Sequence, residues 1–202
     1  MLTDARRNKF RSVEMLSHPS FRLTPEAMEA TLAALEAEGQ EVGAFLFCNP
    51  VNPLGTVTRA HEWRRLLPIL ERYPEVPIIL DEAFAEVIFD GDAQYSLLHA
   101  APELALRTLL FRSGTKAIGL PGERLAVTMV PPRFRQPVAR FVSRMLGNAP
   151  LSAQAGMAAA LDTLTAEKRT AIARYYQARR DQVLQAFAEK EVLLHEGFEP
   201  EG

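Results

Sequence analysis

Four short apolar runs constrain this chain more than anything else in it: Ala44-Phe45-Leu46-Phe47, Pro77-Ile78-Ile79-Leu80, Thr108-Leu109-Leu110-Phe111 and the segment from Leu125 to Val130. Each is short and apolar throughout, which is the pattern of a buried strand. Helical spacing fills the intervals. Thr24-Pro25-Glu26 supplies an N-cap, a proline at the first helical position and an acid in the first turn. The spacing predicts a helix from there to about Glu38, with Met28, Leu32 and Leu35 on one face and Gly39 ending it. Thr58 is expected to cap a second helix reaching Arg72, with Trp63, Leu66, Leu67 and Leu70 turned inward. After Pro132 the pattern is helical over 133–146, 151–163 and 166–189, and Val192-Leu193-Leu194 is expected to begin another strand. Strands alternating with helices imply an α/β domain built on a mostly parallel sheet with flanking helices.

In such sheets ligands bind beyond the carboxyl ends of the strands. Chemistry-bearing residues cluster there. Asn49 to Gly55 follow the first run, Asp81 ends the second, and Ser113-Gly114-Thr115-Lys116 leave the third. Arg124 follows Lys116 eight residues later. A lysine on a small-residue loop, with a hydroxyl before it and an arginine after it, can hold an aldehyde cofactor that carries a phosphate: the amine forms a Schiff base, and the hydroxyl and guanidinium hold the phosphate. Plainer roles exist for each residue. Asp81 could cap a strand-end turn, Lys116 could be a solvated charge, Arg124 could pair with Glu123, and two Asn-Pro pairs could mark a proline-rich turn.

Taken together, Asn49-Pro50-Val51-Asn52-Pro53-Leu54-Gly55-Thr56, Asp81-Glu82-Ala83-Phe84 and Ser113-Gly114-Thr115-Lys116, with Arg124, resemble the core of a class I/II aminotransferase. That family has fold type I and depends on pyridoxal 5'-phosphate (PLP). The resemblance runs from Phe21 to Gly197. It implies that Lys116 is the catalytic residue, joining the cofactor as a Schiff base and then carrying a proton between the substrate Cα and the cofactor C4' carbon. It implies that Asp81 keeps the pyridine nitrogen protonated. It also implies that Asn52 donates to the phenolic oxygen, and that Ser113 and Arg124 hold the phosphate. The Asn52–Pro53 bond is a candidate for the cis isomer. Phe84 stands where most members have a tyrosine that shares the phenolic oxygen, so one hydrogen bond to the cofactor is lost. Some relatives that decarboxylate amino-acid phosphates carry the same Asp-Glu-Ala-Phe, which keeps a PLP-dependent lyase or decarboxylase open beside amino-group transfer from an amino acid to a 2-oxo acid. A catalytically dead truncated paralogue is the third reading.

The resemblance covers only the middle of a typical member. Residues 1–165 are expected to form a partial PLP-binding large domain, and 166–202 a connecting helix and the start of a small α+β C-terminal domain. The family's small-residue phosphate loop, its ring-stacking aromatic and its α-carboxylate arginine are expected to lie outside this sequence. The intact enzyme is expected to be a homodimer.

Composition narrows the rest. A net charge of -2 gives no argument for nucleic acid or an anionic membrane. The single cysteine, Cys48, excludes an internal disulfide and is expected to be a small buried residue. The four histidines show no metal-ligand spacing, so no metal is expected. The N-terminus lacks the apolar core of a secretory signal, and the cytoplasm is the expected compartment. Trp63 is expected in the core, Tyr175 and Tyr176 on a helix surface, and Arg179-Arg180 on a solvated face.

Overall fold

The computed structural model describes residues 13–14, 16–17, 21–89, 95–114, 116, 118–190 and 200–201. Strands β1 (Leu16–Ser17) and β2 (Arg22–Leu23) form a small antiparallel pair. Helix α1 (Pro25–Ala37) begins as the sequence dictates: the Thr24 hydroxyl accepts the Ala27 amide at 3.2 Å, and Pro25 occupies the first helical position. Gly39, at φ +66°, takes the left-handed conformation that follows the helix end.

The main sheet has four strands in the order β3 (Phe45–Cys48), β4 (Ile78–Asp81), β5 (Thr108–Ser113), β6 (Ala126–Met129). The first three are parallel, and β6 runs antiparallel along one edge. The chain is therefore α/β with a mostly parallel sheet. Helices α2 (Ala60–Glu71) and α3 (Leu97–Ala100) complete one covering layer with α1. Met28, Leu32, Trp63, Leu66, Leu70 and Leu97 pack there on Phe45, Phe47, Ile78, Leu80 and Leu110. Side chains alternate along a strand, so these are every second residue of β3, β4 and β5. Trp63 meets Phe47 edge-on, with ring centroids 5.2 Å apart.

Helix α2 starts one residue later than the sequence suggested. Arg59 is its N-cap, and the Arg59 amide donates to Glu62 Oε2 at 2.7 Å. Thr58 is buried and engaged elsewhere: its amide and its carbonyl both bond the Asn49 side chain. At its far end α2 is closed by the Arg107 guanidinium, which donates to the carbonyls of Leu70, Tyr73 and Val76.

The helical segment after Pro132 divides into a 3-10 turn (Pro132–Phe134), α4 (Arg135–Phe141) and a π-turn (Val142–Leu146). Helices α5 (Leu151–Thr163) and α6 (Ala166–Glu189) span the ranges expected of them. The expected strand at Val192–Leu194 lies outside the described residues. Arg180 departs from expectation: its side chain is not solvated but donates to Pro200 O at 2.5 Å and stacks 4.9 Å from the Phe89 ring centroid. Tyr175 and Tyr176 are exposed. Among the described residues no helix is long and apolar enough to cross a membrane.

Candidate active site at the carboxyl edge of the sheet

Register places the candidate residues. Cys48 lies opposite Asp81, the last residues of β3 and β4, and Asp81 lies opposite Phe111, two residues before β5 ends at Ser113. By alternation Cys48, Asp81 and Ser113 face away from the helix-covered core. Asp81 is half-buried, and its Oδ1 accepts the Ala83 amide at 3.0 Å, which fixes the turn into Phe84. Its other oxygen accepts no hydrogen bond among the described residues.

Lys116 leaves β5 on an exposed turn and comes back over this same turn: its Nζ stands 5.0 Å from the Phe84 ring centroid. An ammonium over an aromatic face is held by the ring quadrupole. The structure thus brings Lys116 from the end of β5 to Phe84, on the turn that Asp81 opens at the end of β4. Ser113 is the last residue of β5 and half-buried. Gly114 packs close to Met157 of α5, so that a Cβ there would come within 3.2 Å of Met157 Sδ and the methionine would have to shift. Thr115 lies outside the described residues.

Arg124 is near in backbone but not drawn in by its side chain. The Gly114 amide donates to Leu125 O and the Leu120 amide to Gly114 O, each at 3.3 Å, which closes the loop that carries Lys116. Arg124 sits at φ +50°, exposed, with Nη1 donating to Pro121 O at 3.0 Å rather than pairing with Glu123. Its remaining donors are available to an anion.

The Asn-Pro segment forms a tight loop after β3. The Val51 amide donates to Thr56 O, and the Gly55 amide to Val51 O at 2.6 Å, with Gly55 at φ +71°. The Asn52–Pro53 bond is cis, as expected, and so is Asn49–Pro50. Asn52 is exposed on this loop. Asn49, in contrast, is fully buried: its amide donates to Thr58 O and Tyr95 O, and its oxygen accepts the Thr58 amide at 2.8 Å. The loop is also gripped from behind by Glu201, whose amide donates to Gly55 O at 2.7 Å and whose carboxylate accepts the Val57 amide and pairs with Arg22. Cys48 is half-buried; burial pushes its thiol pKa up, a backbone contact from Asn52 opposes this, and Asp81 adds to the rise. The protonated thiol donates to Pro50 O at 3.2 Å.

A second group of residues was not singled out from the sequence. Glu82 is 1 % exposed, and its Oε2 lies 2.6 Å from Arg112 Nη2. Arg112 also pairs with Glu86 at 3.3 Å and stands 5.7 Å from the Tyr95 ring centroid, while Glu86 pairs with Arg169 of α6. Burial alone would disfavour the Arg112 charge; Glu82, with Tyr95 and Glu86, more than restores it. The available signal was Arg112 itself, a charge inside an otherwise apolar strand run. Among the described residues no group of three or more His, Cys, Asp or Glu is placed to hold a metal.

The class is that of α/β proteins with a mostly parallel sheet, in which ligands bind beyond the carboxyl edge; Asp81 stands at that edge and Lys116 just past it. Residues 2–200 match the family model for aminotransferase class I and II, and the chain belongs to that family. It is 25% identical over 142 residues to an aspartate/prephenate aminotransferase from Nitrosomonas europaea, a match covering 70% of this chain and 34% of that protein. The crystal structure of an aspartate aminotransferase from Rhizobium meliloti superposes with a TM-score of 0.74 at 26% identity, covering 84% of this chain and 40% of the other. A PLP-bound protein from Clostridium difficile 630 shares the fold, with a TM-score of 0.76 at 17% identity over 100% of this chain and 51% of its own. The chain thus spans about a third of the length of the curated relatives it matches.

Proposed function

We propose that this chain supplies the lysine-bearing part of a PLP-dependent aminotransferase, which moves an amino group from an amino acid to a 2-oxo acid and works as a homodimer when whole. One observation carries the reading: Asp81 ends β4, Lys116 follows the end of the neighbouring parallel strand β5, and Lys116 Nζ stands 5.0 Å from the ring of Phe84, three residues past Asp81. The donor set fits the cofactor: one amine for its aldehyde, one carboxylate for its ring nitrogen, and a hydroxyl and a guanidinium for its phosphate.

PLP, when bound, supplies an electron sink for charge developing at the substrate Cα. The chain's own residues do the rest. Lys116 Nζ takes up and returns the proton that moves between substrate and cofactor, a task suited to an amine on a mobile four-carbon stem. Asp81, half-buried with one oxygen already bonded to Ala83, offers the other to a ring N–H and favours the protonated ring. Asn52 offers its amide to the phenolic oxygen. Ser113 and Arg124 hold the phosphate, the arginine through donors not used on Pro121. Phe84 supports Lys116 by its face and gives no hydrogen bond to the phenolic oxygen. The relatives' names favour transamination over the lyase chemistry that Phe84 alone suggests.

The test is to add PLP to the purified chain, reduce with borohydride, and map modified lysines by mass spectrometry with Lys116→Ala as control. Labelling concentrated on Lys116 supports the reading. Labelling spread evenly over exposed lysines sinks it.

A further inference from the structure

Beneath the site loops lies an ionic layer, built around the fully buried Glu82 carboxylate and a half-buried Arg112, that none of the roles above employs. Glu82 directly follows Asp81, and its amide donates to Phe111 O at 3.0 Å, continuing the β4–β5 ladder one rung past the strand end. On that rung its side chain meets Arg112, which lies on the Leu110 face of β5, opposite to Asp81 and Ser113. Neither Glu82 oxygen accepts a well-formed hydrogen bond among the described residues, and Arg112 Nε is likewise buried without a partner. The Arg112 cation, 2.6 Å from Oε2, is therefore the chief compensation for a carboxylate removed from water. The layer reaches the third strand as well: Arg112 lies over Tyr95, whose carbonyl accepts from Asn49, the residue just past β3. Glu86, one turn beyond Phe84, completes it through Arg112 and Arg169.

We infer that Glu82 and Arg112 are positioning residues: the pairing of the buried Glu82 carboxylate with the half-buried Arg112 locks the carboxyl ends of β4 and β5 and so sets the spacing of Asp81 and Phe84 from Lys116. Asp81 is adjacent to one partner of the pair, and Lys116 is four residues from the other, with only the Ser113–Gly114 bend and Thr115 between. Separation of the pair leaves a buried charge unmatched, and the cheapest relief is to swing one strand end out to water. Either swing moves a site residue. A solvated pair in the same place would have no such leverage.

The importance of the spacing rests on the PLP reading, but the lock itself can be tested without cofactor. Hydrogen exchange would be followed by mass spectrometry in the full chain, the Glu82→Gln variant and the conservative Arg112→Lys variant. In Glu82→Gln, amides of the Asp81–Val87 and Phe111–Lys116 segments should exchange together, at least about tenfold faster, while the β3 and α2 amides keep their protection. Arg112→Lys retains the charge and should give a smaller, equally paired change. If Glu82→Gln exposes the whole chain, Arg112→Lys alone decides. The inference is overturned if protection is unchanged in both segments, lost in only one, or lost uniformly in both variants. Borohydride trapping then tests the consequence: the share of PLP label on Lys116 should fall about tenfold in Glu82→Gln and less in Arg112→Lys. An unchanged share in a chain with loosened segments would refute the positioning role. A parent chain that labels no better at Lys116 than elsewhere would refute the PLP reading instead, and exchange would still settle the lock.

Discussion

The two faces of the main sheet have unlike fates. On one, α1, α2 and α3 seal Phe45, Phe47, Ile78, Leu80 and Leu110, and Trp63, Leu66 and Leu70 are almost wholly buried. On the other, Leu46 is 63 % exposed, Ile79 and Leu109 are half-buried, and Asp81 and Lys116 remain within reach of solvent. The packed core lies on the first face and the proposed chemistry on the second. The sealed face is assembled from segments close in sequence, each helix lying back over strands beside it, so it needs little beyond residues 25–110. Among the described residues, α5 comes up to Gly114 and α6 to the Ala85–Val87 turn, both near the strand ends. Substitutions should therefore divide by face: costly to stability on the sealed side, nearly silent on the open side.

The largest effect is expected at Trp63. Trp63→Ala removes a 1 % exposed side chain, its edge contact with Phe47 and its indole donor to Tyr95 O. Large-to-small changes of this kind cost about 3–5 kcal/mol. Urea unfolding should show a much lower midpoint. A loss below about 1 kcal/mol would mean that the sealed face is not the seat of stability.

Asn49→Ala should come next. It removes three hydrogen bonds and leaves the buried Thr58 amide without an acceptor, at about 1–3 kcal/mol for each group left unpaired. Asn49 belongs to the site motif by sequence and to the sealed face by structure. A variant that unfolds early would confirm the structural assignment; a variant of unchanged midpoint would return Asn49 to the open side.

Asn49 also shows how far the sequence could be read. The four strands, α1, α5 and α6 were legible because apolar runs and helical spacing are local properties. Asp81 and Lys116 were legible because strand ends are where such sheets place polar groups. What escaped is what depends on long-range partners. Asn49 and Asn52 look alike in the motif, yet one is buried under Tyr95 and the other exposed. Thr58 looked like a cap until Asn49 claimed both its backbone groups, which moved the cap to Arg59. Arg180 looked solvated because Pro200 and Phe89, distant in sequence, cover it. The Glu82–Arg112 pair joins residues thirty positions apart, and only the charge within the β5 run hinted at it.

Tyr95 lies near the strand ends of the sealed side, its carbonyl accepting from Asn49 and Trp63 and its ring beneath Arg112, and pH can probe that place. Burial, the largest influence, lifts its phenol from 10.0 to about 12, and Arg112 opposes the rise. The folded chain therefore holds this proton more tightly than the unfolded one. The contribution is fully present below pH 10.0; as pH climbs towards about 12 the unfolded chain deprotonates first and stability falls, by at most about 1.4 kcal/mol per pH unit. Urea midpoints at about pH 9 and about pH 11 should fall more steeply in the parent than in Tyr95→Phe. Parallel slopes would mean that the phenol is as accessible folded as unfolded.

The smallest effect on stability should come from the residue proposed to carry the chemistry. Lys116 is exposed, and among the described residues it rests on the face of Phe84. Lys116→Ala should shift the unfolding free energy by no more than about 0.5 kcal/mol, the range usual for surface positions. The same variant should abolish the PLP label mapped to that peptide. The two readouts are independent, and together they separate a site from a scaffold: Trp63→Ala should weaken the chain and, in whatever fraction remains folded, leave label on Lys116. A Lys116→Ala chain that unfolds as readily as Trp63→Ala would make the lysine a structural member of the strand end, and the division between a sealed face that holds the fold and an open face that carries the chemistry would no longer stand.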